Sequence, residues 1–594
     1  MIRFASRALF AILVFSLLIA YAAAQGAPTS EESAPNAKSD ENKEQKKKDV
    51  QKQAAALLEQ VVTESKSLSL PQNQILAEQT AFEMLWKRDR NRAKTLVADI
   101  TARVIEMQNR AEADADSTRS STVYQLRMQM IQLLGGLDAR MALSFLQATR
   151  PSGGSHDSAE RQLEYTLTNQ VAANDSGMAL ELARKSLKEG LSFQLTSVYN
   201  ALSQNNPDAA DQLAEDIVSK LKSEDLTANR QAWYFAMNFL GQVAPQGSGG
   251  GGGGHARVAP GNNVTSAVGG GAGGGGGQSN PQVAKQLSDI LVGAALSPNM
   301  SQDQLRGLAQ YSDVLEEYAP NKAAQLQSQF AKVQQTSDPQ VRSWEEFNKA
   351  NSHGSVDESL AVASQASPDM RSGMYQQVAW KAASLGDFLR ARQIVMDDIA
   401  DPLQRTQMLR EITKQAAFQA AGHGSFDLAR ELMQGYTPGE EHATVLAQLA
   451  HSAASRGQVK IARSMLEEAR GLLDSRPENA TQLNALLQVA QAYADVTPAS
   501  GFQIVEGLIP QLNELISASA MLDGFTPYAR SFESGEMLLK NGYVADSLVR
   551  PFTDTLATLA QADFGRAKAL ADSMQPPEAR VLAHIALVKK MLVD

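Results

Sequence analysis

The chain has no cysteine, only 6% aromatic residues and seven histidines in 594 positions. Without cysteine there can be no disulfides, thiol nucleophiles, thiolate zinc sites or cysteine-ligated iron–sulfur clusters. No His-Glu-x-x-His pair occurs, and His442 and His451 stand nine apart, on opposite faces of any one helix. No metal or other cofactor is therefore expected. Positive charge is also short: the net charge is −10, the wrong sign for a protein that holds nucleic acid by neutralising phosphates. Long apolar runs are missing beyond the N-terminus, so no transmembrane segment is expected once a leader is removed.

That N-terminus has the pattern of an export signal. Arg3 and Arg7 precede an apolar run from Leu9 to Tyr21, and Ala22-Ala23-Ala24 offers a cleavage site. Residues 1–24 are read as a signal peptide and the mature chain as periplasmic or secreted. Residues 25–50 are polar and charged, with too little apolar surface to offset ordering entropy, and read as a disordered tether.

The remainder is apolar at three- and four-residue spacing, the period of a helix face. A motif recurs through it: a small polar residue, Ala four positions on, and an apolar residue seven on. Its instances begin at Asp89, Asp138, Asp175, Asn206, Asp387, Ser425, Gln458 and Asp563. The polar residue suits a helix N-cap, and the alanine suits a close helix contact. Pro368, Pro402, Pro438 and Pro477 each precede a further helix, where a missing N–H does no harm. Recurrence at this spacing marks stacked helical hairpins. The expected fold is all-α, with antiparallel hairpins forming an α-solenoid. Its regions are 51–244 and 282–594, interrupted over 245–281 by a disordered Gly-rich segment that reads as a linker or a loop insertion. The C-terminal helix, from Glu578 to Leu592, is expected to cap the array.

Chemistry-bearing clusters are few. Ser155-His156-Asp157 contains three hydrolase residue types, but as sequence neighbours they cannot adopt a relay geometry. Asp563-Phe564-Gly565 imitates a kinase triplet without its companion motifs and falls on a repeat's helix start. The acidic pairs Glu316-Glu317, Glu440-Glu441 and Glu467-Glu468 read as solvated helix faces, since neighbouring helical residues diverge in direction.

The run Leu385-Gly386-Asp387-Phe388-Leu389-Arg390-Ala391 resembles the start of the second helix of a tetratricopeptide repeat. Leu446, Leu449, Ala450 and Ala453 look like the small and apolar positions of its first helix, and Ala462, Leu466 and Ala469 like those of its second. Motif starts spaced from 31 (Asp175 to Asn206) to 49 residues (Asp89 to Asp138), with few first-helix aromatics, also fit an irregular α-solenoid outside that family. The resemblance implies a groove lined by first helices, with Gln376, Trp380, Glu411, Lys414, Phe418 and His451 facing it. Trp380 and Phe418 read either as partner anchors or as core residues. The function expected is a non-catalytic scaffold binding a peptide or protein. A self-associating envelope component and an exported polysaccharide-active enzyme stand as alternatives.

Overall fold

A computed structural model describes residues 37–151, 157–244, 280–298, 300–335, 339–436, 439–523, 525 and 530–593. The signal peptide, the first part of the tether, Ser155, His156, Pro438, Asp594 and residues 245–279 lie outside the described residues. The chain falls into two units, residues 1–54 and 55–594.

In the first unit the tether reading needs correction, because residues 37–54 belong to helix α1, Ala37–Ser65. Ala, Glu, Gln and Lys are strong helix formers. One-turn contacts add support: Lys48 Nζ lies 2.9 Å from Glu44 Oε1, and Gln45 Nε2 donates to Asp49 Oδ1 at 3.1 Å.

The second unit is a run of helices in chain order. The first are α2 Pro71–Trp86, α3 Arg90–Asp114, α4 Ser117–Gly135, α5 Ala139–Ala148, α6 Asp157–Val171 and α7 Ser176–Glu189. Next come α8 Gln194–Asn205, α9 Pro207–Lys222, α10 Arg230–Val243, α11 Pro281–Ala295, α12 Gln302–Ala309, α13 Ser312–Tyr318 and α14 Pro320–Gln335. There follow α15 Pro339–His353, α16 Val356–Gln365, α17 Pro368–Ser384, α18 Phe388–Asp398, α19 Pro402–Gly422, α20 Phe426–Met433 and α21 Glu440–Ser455. The last are α22 Val459–Gly471, α23 Ala480–Tyr493, α24 Pro498–Asp523, α25 Arg550–Leu559, α26 Phe564–Asp572 and α27 Pro577–Leu592. Among the described residues no helix is long and apolar enough to cross a membrane.

The recurring motif explains the hairpins. All eight polar residues are N-caps. Six of them, Asp89, Asp138, Asp175, Asn206, Asp387 and Asp563, accept a backbone N–H at 2.9–3.2 Å. All eight alanines are buried at 0–1% exposure, which lets the paired helices approach closely. Three of the turns reach their cap through a glycine in the left-handed region: Gly386 at φ 84°, Gly424 at 80° and Gly457 at 76°. In two hairpins an arginine three residues after the helix-opening proline ties the hairpin to the one before. Arg371 Nε donates to Ala366 O at 2.8 Å, and Arg405 Nε to Ile399 O at 2.9 Å.

The described residues on either side of the Gly-rich stretch adjoin. Its flanks meet where the Asn280 N–H donates to Val243 O at 2.9 Å, and α10 packs directly on α11. Among the described residues, the slightest step in the array is from α14 to α15.

The C-terminal helix does not cap the array. Instead α27 packs against α2, so the path of hairpins returns to its start. A clasp holds the two ends together. A small hairpin, β1 Phe532–Glu533 with β2 Glu536–Met537, turns on Ser534 and Gly535, both with positive φ. It presents Glu536 to the N-terminus of α2, where Leu70 has no capping side chain. Glu536 accepts the Ser69 and Leu70 N–H groups and, at 2.7 Å, Asn73 Nδ2, thereby capping the helix from the far end of the sequence. Asn73 also donates to Met537 O at 2.8 Å and accepts the Leu539 N–H at 2.9 Å. Beside this, fully buried His584 of α27 lies between Glu64 Oε2 and Asp572 Oδ1, each 2.9 Å from a ring nitrogen.

Candidate functional site

Two rows of helices face away from each other in the second unit. One row runs unbroken from α15 through α17, α19, α21, α23, α25 and α27, then on through α2, α4, α6, α8 and α10, each helix touching the next. In the later half, α16, α18, α20, α22, α24 and α26 make no comparable contact with one another among the described residues. Helices on the inside of a curved stack lie closer than those outside, so the unbroken row is called inner and the other outer, although α7, α9 and α11 of the outer row also touch one another.

The rows differ in the chemistry that joins their helices. Outer helices are linked by charge: Arg184 to Asp216 at 2.7 Å, Arg390 to Asp357 at 2.8 Å, Arg430 to Glu468 at 3.0 Å and Arg566 to Glu506 at 2.8 Å. Inner helices are linked by amides as well as by charge. Gln194 Nε2 donates to Gln162 Oε1 at 2.9 Å, Asn200 Nδ2 to Gln242 Oε1 at 3.0 Å and Gln448 Nε2 to Gln488 Oε1 at 3.4 Å. Gln491 Nε2 donates to Thr558 Oγ1 at 3.4 Å. Three charged links also join them: Arg127 to Glu160 through a buried bidentate pair at 2.5 and 3.0 Å, Arg410 to Glu441 at 3.2 Å and His451 to Asp495 at 2.9 Å. Each amide spends one donor or acceptor on its neighbour and keeps others for a ligand.

The six residues assigned to the groove stand on three successive inner helices. Gln376 and Trp380 lie on α17, Glu411, Lys414 and Phe418 on α19, and His451 on α21. Trp380 is 39% exposed, so the core alternative does not describe it, whereas Phe418 is half-buried. Glu411 and Lys414 pair with each other at 2.9 Å, and Gln376 is half-buried. His451 is exposed, while His442 on the same helix is buried against Tyr436 with ring centroids 5.7 Å apart. Burial pushes the His442 imidazole below its ordinary range, with Glu468 opposing.

The other candidates are absorbed by the architecture. Asp563 caps α26 through the Arg566 N–H at 3.0 Å. Glu441 accepts the Tyr436 hydroxyl at 2.7 Å as well as Arg410, and Glu468 bridges to Arg430. Among the described residues no cluster of three or more His, Cys, Asp or Glu could hold a metal ion. Sequence reasoning missed the amide links, since helical periodicity shows which face a glutamine occupies but not which neighbour it meets.

The described residues form a tandem array of paired antiparallel helices, an all-α helical-repeat fold. Neither a family model nor a curated protein matches the chain. Solved structures that resemble it include a circular tandem repeat protein with novel repeat topology and enhanced subunit contact surfaces, at 11% identity and a TM-score of 0.16, covering 91% of this chain and 98% of that one. Another is the APC/C hetero-tetramer Cut9–Hcn1, at 11% identity and a TM-score of 0.17, covering 86% of this chain and 98% of that one. At such TM-scores neither likeness bears on shape or function.

Proposed function

We propose that the protein is an exported, non-catalytic interaction scaffold that holds a peptide or protein partner along its inner row. The observation that carries this is the exposed Trp380, set in a row whose helices are joined by amides as well as by charges. An exposed indole offers a large anchor at low entropic cost. Oriented amides offer both donors and acceptors, which is what an extended polypeptide backbone requires. Successive inner helices lie about 8–10 Å apart, and an extended chain advances about 3.4 Å per residue, so one helix meets about every third residue. Export rests on Arg3, Arg7 and the apolar run that follows them.

The test is affinity capture by residues 25–594 from cell-envelope extract, beside a Trp380→Ala/Phe418→Ala variant shown to unfold at the same temperature. A specific partner is expected on the wild type and is lost from the variant. Equal capture by both proteins, or no partner at all, sinks the reading.

A further inference from the structure

The seam where the two ends of the array meet encloses a cavity that the scaffold reading does not use. Its volume is about 310 Å³, at the small end of ligand pockets. Both ends of the chain build it: Leu76 and Gln79 come from α2, Lys540 and Asn541 from the clasp, Arg550 from α25 and Leu582 from α27.

Departures from regular repeat geometry gather at this place. The π-helical stretch Ala545–Val549 brings Asp546 to the wall, and π-turns recur at functional sites. Asn541, at φ 61°, is a non-glycine residue in the left-handed region, and local strain of this kind also concentrates at sites. Among the described residues the only strand pair immediately precedes it.

The polar groups on the wall have a definite sign. Lys540 is exposed and has no hydrogen-bond or ion-pair partner among the described residues. Arg550 spends Nε on Asp546 Oδ1 at 2.9 Å and Nη2 on Leu539 O, which leaves Nη1. Asp546 is the one carboxylate on the wall, so two cations face one anion. Gln79, only 6% exposed, uses its Nε2 on Leu126 O at 3.2 Å. The same wall carries Leu76, Leu539, Leu582 and Ile585, with Thr80 and Gln129 as further polar neutral groups.

From this arrangement we infer that the seam cavity is a binding site for a small amphiphilic monoanion, a carboxylate on a short apolar body. The carboxylate meets Lys540 and the spare Arg550 N–H, and the apolar body lies on the leucines of α2 and α27. Because first and last helices both contribute, an occupant stabilises the closed array by mass action.

Hexanoate is the probe, with hexylammonium and n-hexanol as charge controls and inorganic phosphate as the anion without a body. Calorimetric titration of the full chain is expected to show one hexanoate site, with the three controls at least about tenfold weaker. Charge-assisted hydrogen bonds of about 1.5–3 kcal/mol correspond to about tenfold or more per contact. Hexanoate should also raise the unfolding temperature. Lys540→Gln, at an exposed position that leaves the fold alone, weakens hexanoate about tenfold, and Lys540→Glu turns the preference toward hexylammonium. Failure of hexanoate to bind, equal binding of hexanol, stronger binding of phosphate, or Lys540 variants that bind hexanoate like the wild type each overturn the inference.

Discussion

Replacing Asn73 with alanine tests whether the array is held shut by its clasp. Asn73 is fully buried and joins both ends of the chain through three hydrogen bonds of 2.7–2.9 Å. Alanine removes all three. It leaves the Leu539 N–H and Met537 O without their partner, at residues 2% and 1% exposed, and takes one donor from the Glu536 carboxylate. Hydrogen bonds contribute about 1 kcal/mol each on balance, and an orphaned buried group costs about 1–3 kcal/mol. The expected loss is therefore about 3–5 kcal/mol, concentrated at the seam because each hairpin leans mainly on its neighbours. Two measurements read it: chemical unfolding, and crosslinking of Gln125→Cys to Asn541→Cys, whose native side chains meet at 2.8 Å. The chain has no other thiol, so a bismaleimide reagent can join only this pair. Asn73→Ala should lower the unfolding midpoint and slow the intramolecular crosslink. A variant that unfolds within about 0.5 kcal/mol of the parent and crosslinks as fast refutes the clasp.

Three further outcomes follow from packing and charge. Ala391→Leu places three extra carbons at a fully buried contact of α18 and should cost about 1–3 kcal/mol by thermal unfolding; an unchanged transition denies the close contact. Gly501→Ala puts a Cβ 2.7 Å from both Ala490 O and Leu559 Cδ2, so α24 must shift from α23, and a similar loss is expected in the same assay. At the His584 clamp, burial alone would raise the Glu64 and Asp572 carboxyls, but bonds to His584 and Gln60 hold Glu64 down, and Lys568 and His584 do so for Asp572. Both titrate lower folded than unfolded, so the clamp's contribution is complete above the ordinary carboxylate range and is lost as pH falls through the folded values. Glu78 and Glu578, raised by burial, run the opposite way but are common to wild type and His584→Gln. The urea-midpoint gap between those two proteins should therefore close between about pH 7 and about pH 3, and a constant gap contradicts the clamp.

Local signals carried much of the fold. The eight motif helix starts, the alanine four residues on from each, and Gly386 before Asp387 could be read because N-caps, close contacts and left-handed turns depend on residues within one or two turns. The groove was only half legible. The tetratricopeptide resemblance placed Trp380 and Phe418 on groove-lining helices, yet exposure depends on what packs above them, and the two residues came out differently. The stretch 37–50 was misread because a composition too polar for a core is still good for a helix.

The sequence by itself determined that this chain makes helical hairpins and where most of them begin, since those choices rest on interactions a few residues long. Only the tertiary structure decided that the array closes. Glu536 caps α2 through the N–H of Leu70, 466 residues earlier, and no local pattern records that pairing. It also decided that the helices flanking the Gly-rich stretch adjoin, with the Asn280 N–H donating to Val243 O. Closure depends on the accumulated rotation from hairpin to hairpin, a sum over every packing contact, and the sequence holds that sum only through the folded whole.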